Sequence, residues 1–170
     1  KQMEAWRPFV QDAVKELLDA AEAKGSMDVM RDLATPLPVL VIAEMMGVPK
    51  AERPYIRQLA EKLLYIGRGE YDRMKPLTEG MRGMIEYVSP LVDKRIVDPG
   101  DDFISVLAQG EKRGVFTRHQ VLVNTSLLLL AGHETTINLL CNGTLAFTRH
   151  PDQWEALKED PAGRAKAATE

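Results

Sequence analysis

No proline occurs between Pro99 and Pro151, and that gap constrains the fold more than any other feature of the sequence. Within the gap, Thr117-Arg118-His119-Gln120 fits a capping box, Thr117 at the N-cap and Gln120 reaching back to it. One helix from about Thr117 to about Arg149 is predicted, about 33 residues and roughly 50 Å long at 1.5 Å per residue. Such a helix exceeds the usual length in globular proteins. Its first half, Val121 to Ala131, is apolar nearly all round apart from Asn124, Thr125 and Ser126. That pattern predicts burial at the centre of a domain, with other helices packed around it.

The remaining segments also carry the helical period, and the expected fold class is all-α. Trp6, Phe9, Val10, Ala13, Val14, Leu17, Leu18 and Ala21 form one stripe, closed by Gly25. A second helix is predicted over Pro36 to Met46, stopped by Gly47-Val48-Pro49. A third runs from about Ala51 to Ile66, ending at Gly67 and Gly69. A fourth runs from about Tyr71 to Val97, where Pro76, Gly80, Gly83 and Pro90 favour a kink or a division. A short fifth helix is expected from about Asp102 to Gln109, with Asp101 as N-cap. Met27 to Met30 is the one candidate for a short strand. Met45, Met46, Met74, Met81 and Met84 read as core or pocket filling. The mixed charges from Glu52 to Arg82 read as a solvated face.

Composition removes several classes of function. The net charge of −3 is spread along 170 residues, without the clustered basic excess that nucleic-acid binding requires. Cys141 is the single cysteine, so no disulfide framework can form within the chain, and a reducing, cytoplasmic setting is expected. The apolar runs Leu37 to Met46 and Leu127 to Ala131 are too short to span a membrane.

At 100° per residue, Asn124, Leu127, Leu128, Ala131, Thr135, Asn138 and Asn142 share one face of the long helix, with Glu134 at its edge. The face is apolar at the leucines, small at Ala131 and polar from Glu134 onward. Burying a carboxylate costs several kcal/mol unless it is paired or reaches water. A purely structural helix has no need of Glu and Thr at its midpoint. A threonine hydroxyl can bond the carbonyl four residues earlier, here Ala131, and so loosen the turn; Gly132 weakens it further. The local sequence therefore predicts a distorted turn offering a carbonyl, a hydroxyl and a carboxylate, able to hold water and relay a proton.

Ala131-Gly132-His133-Glu134-Thr135-Thr136 resembles the central-helix signature of the cytochrome P-450 family. Pro36 to Pro49 resembles that family's helix before the substrate-access region, Asp101 to Leu107 its short helix before the central one, and Leu145-Ala146-Phe147 with Arg149-His150-Pro151 the turn after it. The pieces come in the family's order and spacing, in the style of soluble bacterial members. The resemblance implies a mostly helical fold built around the long helix, with haem b as cofactor. It implies monooxygenation: one atom of O2 enters a small apolar substrate and the other leaves as water. Electrons would come from NAD(P)H through a partner such as a ferredoxin with its reductase. Carried over, Ala131 and Gly132 would lie against the haem, and Leu127 and Leu130 would face the substrate. Thr135 would steady the oxygen species, and Glu134 would help to deliver protons. The charged stretch after Glu52 would be a lid over the substrate channel.

The chain departs from the family pattern in lacking the glycine-containing loop with the cysteine ligand and the Glu-x-x-Arg helix. Residues 1–170 are therefore expected to be one partial domain, the central part of a longer enzyme, inactive alone and contributing no metal ligand. Cys141 reads as a small buried hydrophobe and His133 as a packing residue turned away from the haem face. Two other readings stay open: a non-catalytic helical module binding a small apolar ligand, and a helical scaffold with none. The continuation of the reading frame into those missing motifs would discriminate between them.

Overall fold

A computed structural model describes residues 3–64, 70–160 and 163. Seven α-helices are described, and no strand occurs among these residues: α1 (Arg7–Lys24), α2 (Pro36–Met45), α3 (Arg53–Leu64), α4 (Glu70–Val97), α5 (Phe103–Lys112), α6 (Arg118–Arg149) and α7 (Pro151–Glu159). Single turns at Met3–Trp6 and Lys50–Glu52 precede α1 and α3, and a wide turn, Val29–Ala34, precedes α2. The expected strand at Met27 to Met30 is thus replaced by a helical turn. Asp28 starts it, its carboxylate accepting from the Arg31 amide at 3.0 Å. The predicted glycine break at Gly67 and Gly69 lies outside the described residues.

Helix α2 begins on Pro36, whose fixed φ suits a first turn. It ends at Gly47, which takes φ 72°. The Gly47 and Val48 amides return to the carbonyls of Glu44 (2.9 Å) and Ala43 (2.8 Å), closing the helix end. Arg53, the first residue of α3, forms an ion pair with Glu44 and donates to the Val48 carbonyl at 3.4 Å. Arg53 is 7% exposed, an exception to the solvated face predicted for this stretch. The pair also explains a carboxylate inside the apolar run of α2.

Helix α4 is one unbroken helix of 28 residues despite Pro76 and Pro90, so the predicted division is not realised. Its glycines serve packing instead. A Cβ on Gly83 would lie 2.6 Å from Leu59 Cδ2, and one on Gly80 3.0 Å from Leu63 Cγ. Glycine here lets α3 and α4 approach closely. Helix α5 starts one residue later than expected. Asp102, not Asp101, caps it, accepting from the Ser105 amide at 2.7 Å and pairing with Arg95 at 2.8 Å.

The core gathers Met46, Leu59, Met84, Val88, Val92, Ile104, Val121 and Leu129. Met74 and Met81, expected to be filling, are more than half exposed instead. Both halves of the Thr117–Gln120 capping box form. Arg118 then ties α6 to its neighbours, donating to the Ser89 carbonyl (2.9 Å), Asp93 (2.7 Å) and Glu111 (3.3 Å). Helix α6 turns into α7 at His150-Pro151, where Phe147 and Trp154 pack with ring centroids 5.1 Å apart. No described helix is long and apolar enough to cross a membrane.

Candidate active site on the open face of α6

Helix α6 is not enclosed by its neighbours. One stripe at four-residue spacing, Val121, Thr125, Leu129, His133 and Ile137, is buried. The opposite face stays uncovered by the described residues: Asn124, Leu127, Leu128, Ala131, Glu134, Thr135 and Asn138 are all exposed. Leu127 is 55% exposed and Leu128 41%. The expectation of helices packed around the first half is therefore corrected to packing along one side.

The open face carries most of the predicted site. The Thr135 hydroxyl donates to the Ala131 carbonyl at 2.9 Å, and the Thr136 hydroxyl to the Gly132 carbonyl at 3.3 Å. The Asn138 amide donates to the Glu134 carboxylate at 3.4 Å. The helix nevertheless runs through this turn without a break, so the expected distortion does not interrupt it. Ser126, Thr144 and Thr148 make the same bond to the carbonyl four residues back, at 2.7–2.8 Å. The bond is a habit of this helix, and by itself it marks no site. What sets Thr135 apart is its place one turn after exposed Ala131 and next to exposed Glu134.

Two predicted residues sit differently. Leu130 is half-buried and packs against the core cluster, about 60° round the helix from Leu127. Gly132 is half-buried and faces Ile42 of α2: a Cβ there would stand 3.2 Å from Ile42 Cδ1 and Cγ1. Nothing in the sequence couples residues 42 and 132, and the Glu134–Asn138 contact was equally unmarked except by its four-residue spacing.

His133 is 3% exposed, and its Nδ1 has no hydrogen-bond partner among the described residues. Burial pushes the imidazole below its ordinary pKa; Glu134 and Glu61 oppose that shift, and Arg57 adds to it. Cys141 is half-buried and free, about 120° round α6 from Thr135. No group of three or more His, Cys, Asp or Glu side chains among the described residues could hold a metal. An open cavity of about 710 Å³ lies elsewhere, lined by Trp6, Phe9, Met45, Asp102, Phe103 and Val106 among others, and touches none of these residues.

No family model matches the sequence. Curated relatives do. Cytochrome P-450 CYP107DY1 of Priestia megaterium is 33% identical over 95% of the chain. Among solved structures, the polyketide-synthase cytochrome P-450 PksS of Bacillus subtilis superposes with a TM-score of 0.89 at 32% identity, over 97% of this chain and 42% of that one. The chain belongs to the cytochrome P-450 family. It spans 40% of the length of the Priestia relative. A third P-450, BioI, was solved in complex with an acyl carrier protein ligated to hexadec-9Z-enoic acid, and matches with TM-score 0.85 and 34% identity over 97% of this chain and 43% of that one. The P-450 likeness and the geometry meet on α6. The open face fits one side of a flat apolar macrocycle: Ala131 has only a Cβ to hold it off, Leu127 and Leu128 give apolar contact, and the groups able to bond water or oxygen begin one turn later. Cys141, turned away and half-buried, is not placed to hold the same group.

Proposed function

We propose that this chain forms the distal wall of a haem-thiolate monooxygenase that inserts one atom of O2 into a small organic substrate. The observation that carries the reading is the uncovered face of α6, apolar at Leu127 and Leu128, small at Ala131, polar at Glu134 and Thr135. The haem, when bound, supplies the oxygen-activating chemistry and takes its thiolate from outside this chain. Ala131 is the small residue that lets it approach, with Gly132 setting the same turn close against Ile42 behind it. Leu127, with Leu130 on its flank, borders the substrate. The Thr135 hydroxyl has spent its proton on the Ala131 carbonyl, leaving its lone pairs free to accept from a water or an O–H. Glu134 is exposed and can ionise and rotate between solvent and the site. A positioned proton donor or held water contributes a factor of about 10² to 10⁴ in such transfers.

We further propose that the enzyme works in the cytoplasm. Its electrons come from NAD(P)H through a reductase and a small carrier such as a ferredoxin. The BioI complex favours a second substrate form, an acyl group presented on a carrier protein. The test compares NAD(P)H consumed, hydrogen peroxide released and product formed in the haem-loaded enzyme. Thr135→Ala should still consume NAD(P)H but lose its electrons to O2 as hydrogen peroxide, with little product. Glu134→Gln should slow the whole cycle and leave coupling less affected. Full coupling in the first together with full rate in the second would make the pair structural.

A further inference from the structure

We propose that Ile42 of α2 is a positioning residue for the Ala131–Thr135 turn, acting through Gly132. The inference rests on the haem-monooxygenase reading and adds a residue to it. Gly132 stands between exposed Ala131 and buried His133 and faces Ile42. A Cβ placed there would meet Ile42 Cδ1 and Cγ1 at 3.2 Å and Cβ at 3.5 Å. The first two distances are tighter than ordinary side-chain contacts, so the Ile42 side chain, or one of the two helices, would have to give by a few tenths of an ångström.

Helix α2 is poorly able to give. Ala43 and Met46 beside Ile42 are fully buried, its start is fixed by Pro36, and its end is held by the Glu44–Arg53 pair. Close-packed interiors pass such strain on. The other side of the contact is α6, whose site face no described residue covers. Displacement therefore goes toward the open face and carries Ala131 with it. The carbonyls of Ala131 and Gly132 hold the hydroxyls of Thr135 and Thr136, so both hydroxyls move together. The length of side chain 42 thus sets how far the turn stands out from the wall behind it.

Size complementation tests this in the haem-loaded enzyme, with the ferric absorption spectrum and the peroxide released per NAD(P)H as readouts. Misplacement by about 1 Å can lower a rate about 10²-fold, so a shift of a few tenths should raise the peroxide share by roughly three- to tenfold. Gly132→Ala should produce that rise together with a shifted ferric spectrum. Adding Ile42→Val, which removes the Cδ1 methyl, should return both readouts most of the way. Ile104→Val, an equal trim of a buried α5 residue, should return neither. If Gly132→Ala fails to accumulate, Gly132→Ala with Ile42→Ala should restore folded, haem-loaded protein. An unshifted spectrum in Gly132→Ala, equal rescue by Ile104→Val, or no recovery with Ile42→Ala would each overturn the proposal while leaving the monooxygenase reading in place. Failure of the unsubstituted enzyme to take up haem would overturn both.

Discussion

The two faces of α6 are made from one sequence and do opposite things. Along Val121, Thr125, Leu129, His133 and Ile137, every side chain is buried, and two of them, Thr125 and His133, keep a polar atom without a partner among the described residues. Along Leu127, Leu128, Ala131 and Thr135, apolar and polar groups alike lie uncovered. Hydropathy does not separate the faces, since each holds leucine and threonine. They differ in whether α2 to α5 pack over them. A buried leucine fastens the helix to its neighbours, whereas an uncovered one is available to a ligand.

The largest effect should come from cutting the buried face. Leu129→Ala removes a 1%-exposed core side chain and should lower stability by about 2–5 kcal/mol, read as a fall in the denaturant midpoint. An effect near that of an exposed site would erase the contrast between the faces.

Acid should act next, through the buried face. Above pH 6.5, the ordinary value for this side chain, the His133 imidazole is neutral in both folded and unfolded chains. Below it the unfolded chain binds the proton more readily, because burial holds the folded value down. Stability is therefore complete above that pH and falls as pH drops through it. The loss stops growing once the buried ring itself protonates. Comparing unfolding at pH 7.5 and 5.5 should show this loss in the parent and a smaller one in His133→Gln.

Thr125→Val should be close to neutral, within about 0.5 kcal/mol, or slightly stabilising. The hydroxyl it removes is fully buried and bonds to nothing among the described residues, and replacing such a group by an apolar one of the same shape removes a desolvation penalty. A clear destabilisation would reveal a partner for Thr125. The smallest stability change should come from the open face. Leu127→Ala should alter unfolding of the haem-free protein by no more than about 0.5 kcal/mol, yet weaken substrate binding to the loaded enzyme in a spectral titration.

Where the chain signals locally, the structure follows the sequence. Thr117 and Gln120 begin α6 as their spacing dictates, and Gly25 and Gly47 take the left-handed conformation at helix ends. The angular grouping of Leu127, Ala131, Glu134 and Thr135 also follows from 100° per residue. What did not follow depends on partners distant in the chain. Gly80 and Gly83 read as breakers, but their role is set by Leu63 and Leu59 on another helix. Arg53 read as solvated because nothing local announces Glu44 as its counter-ion. The apolar circumference of α6 implied enclosure, yet whether a face is covered is decided by what packs on it, and periodicity carries no information about that.

The Glu44–Arg53 pair also has a mechanical meaning. It anchors the first residue of α3, a helix of 12 residues and about 18 Å at 1.5 Å per residue that runs away from the anchor. If α3 and α4, packed together through Gly80 and Gly83, swing as one body about that anchor, a swing of about 10° carries the far end of α3 about 3 Å over that length and leaves the anchored end almost still. Any opening of this part of the molecule would be graded along α3, widest near Leu64 and negligible beside Arg53.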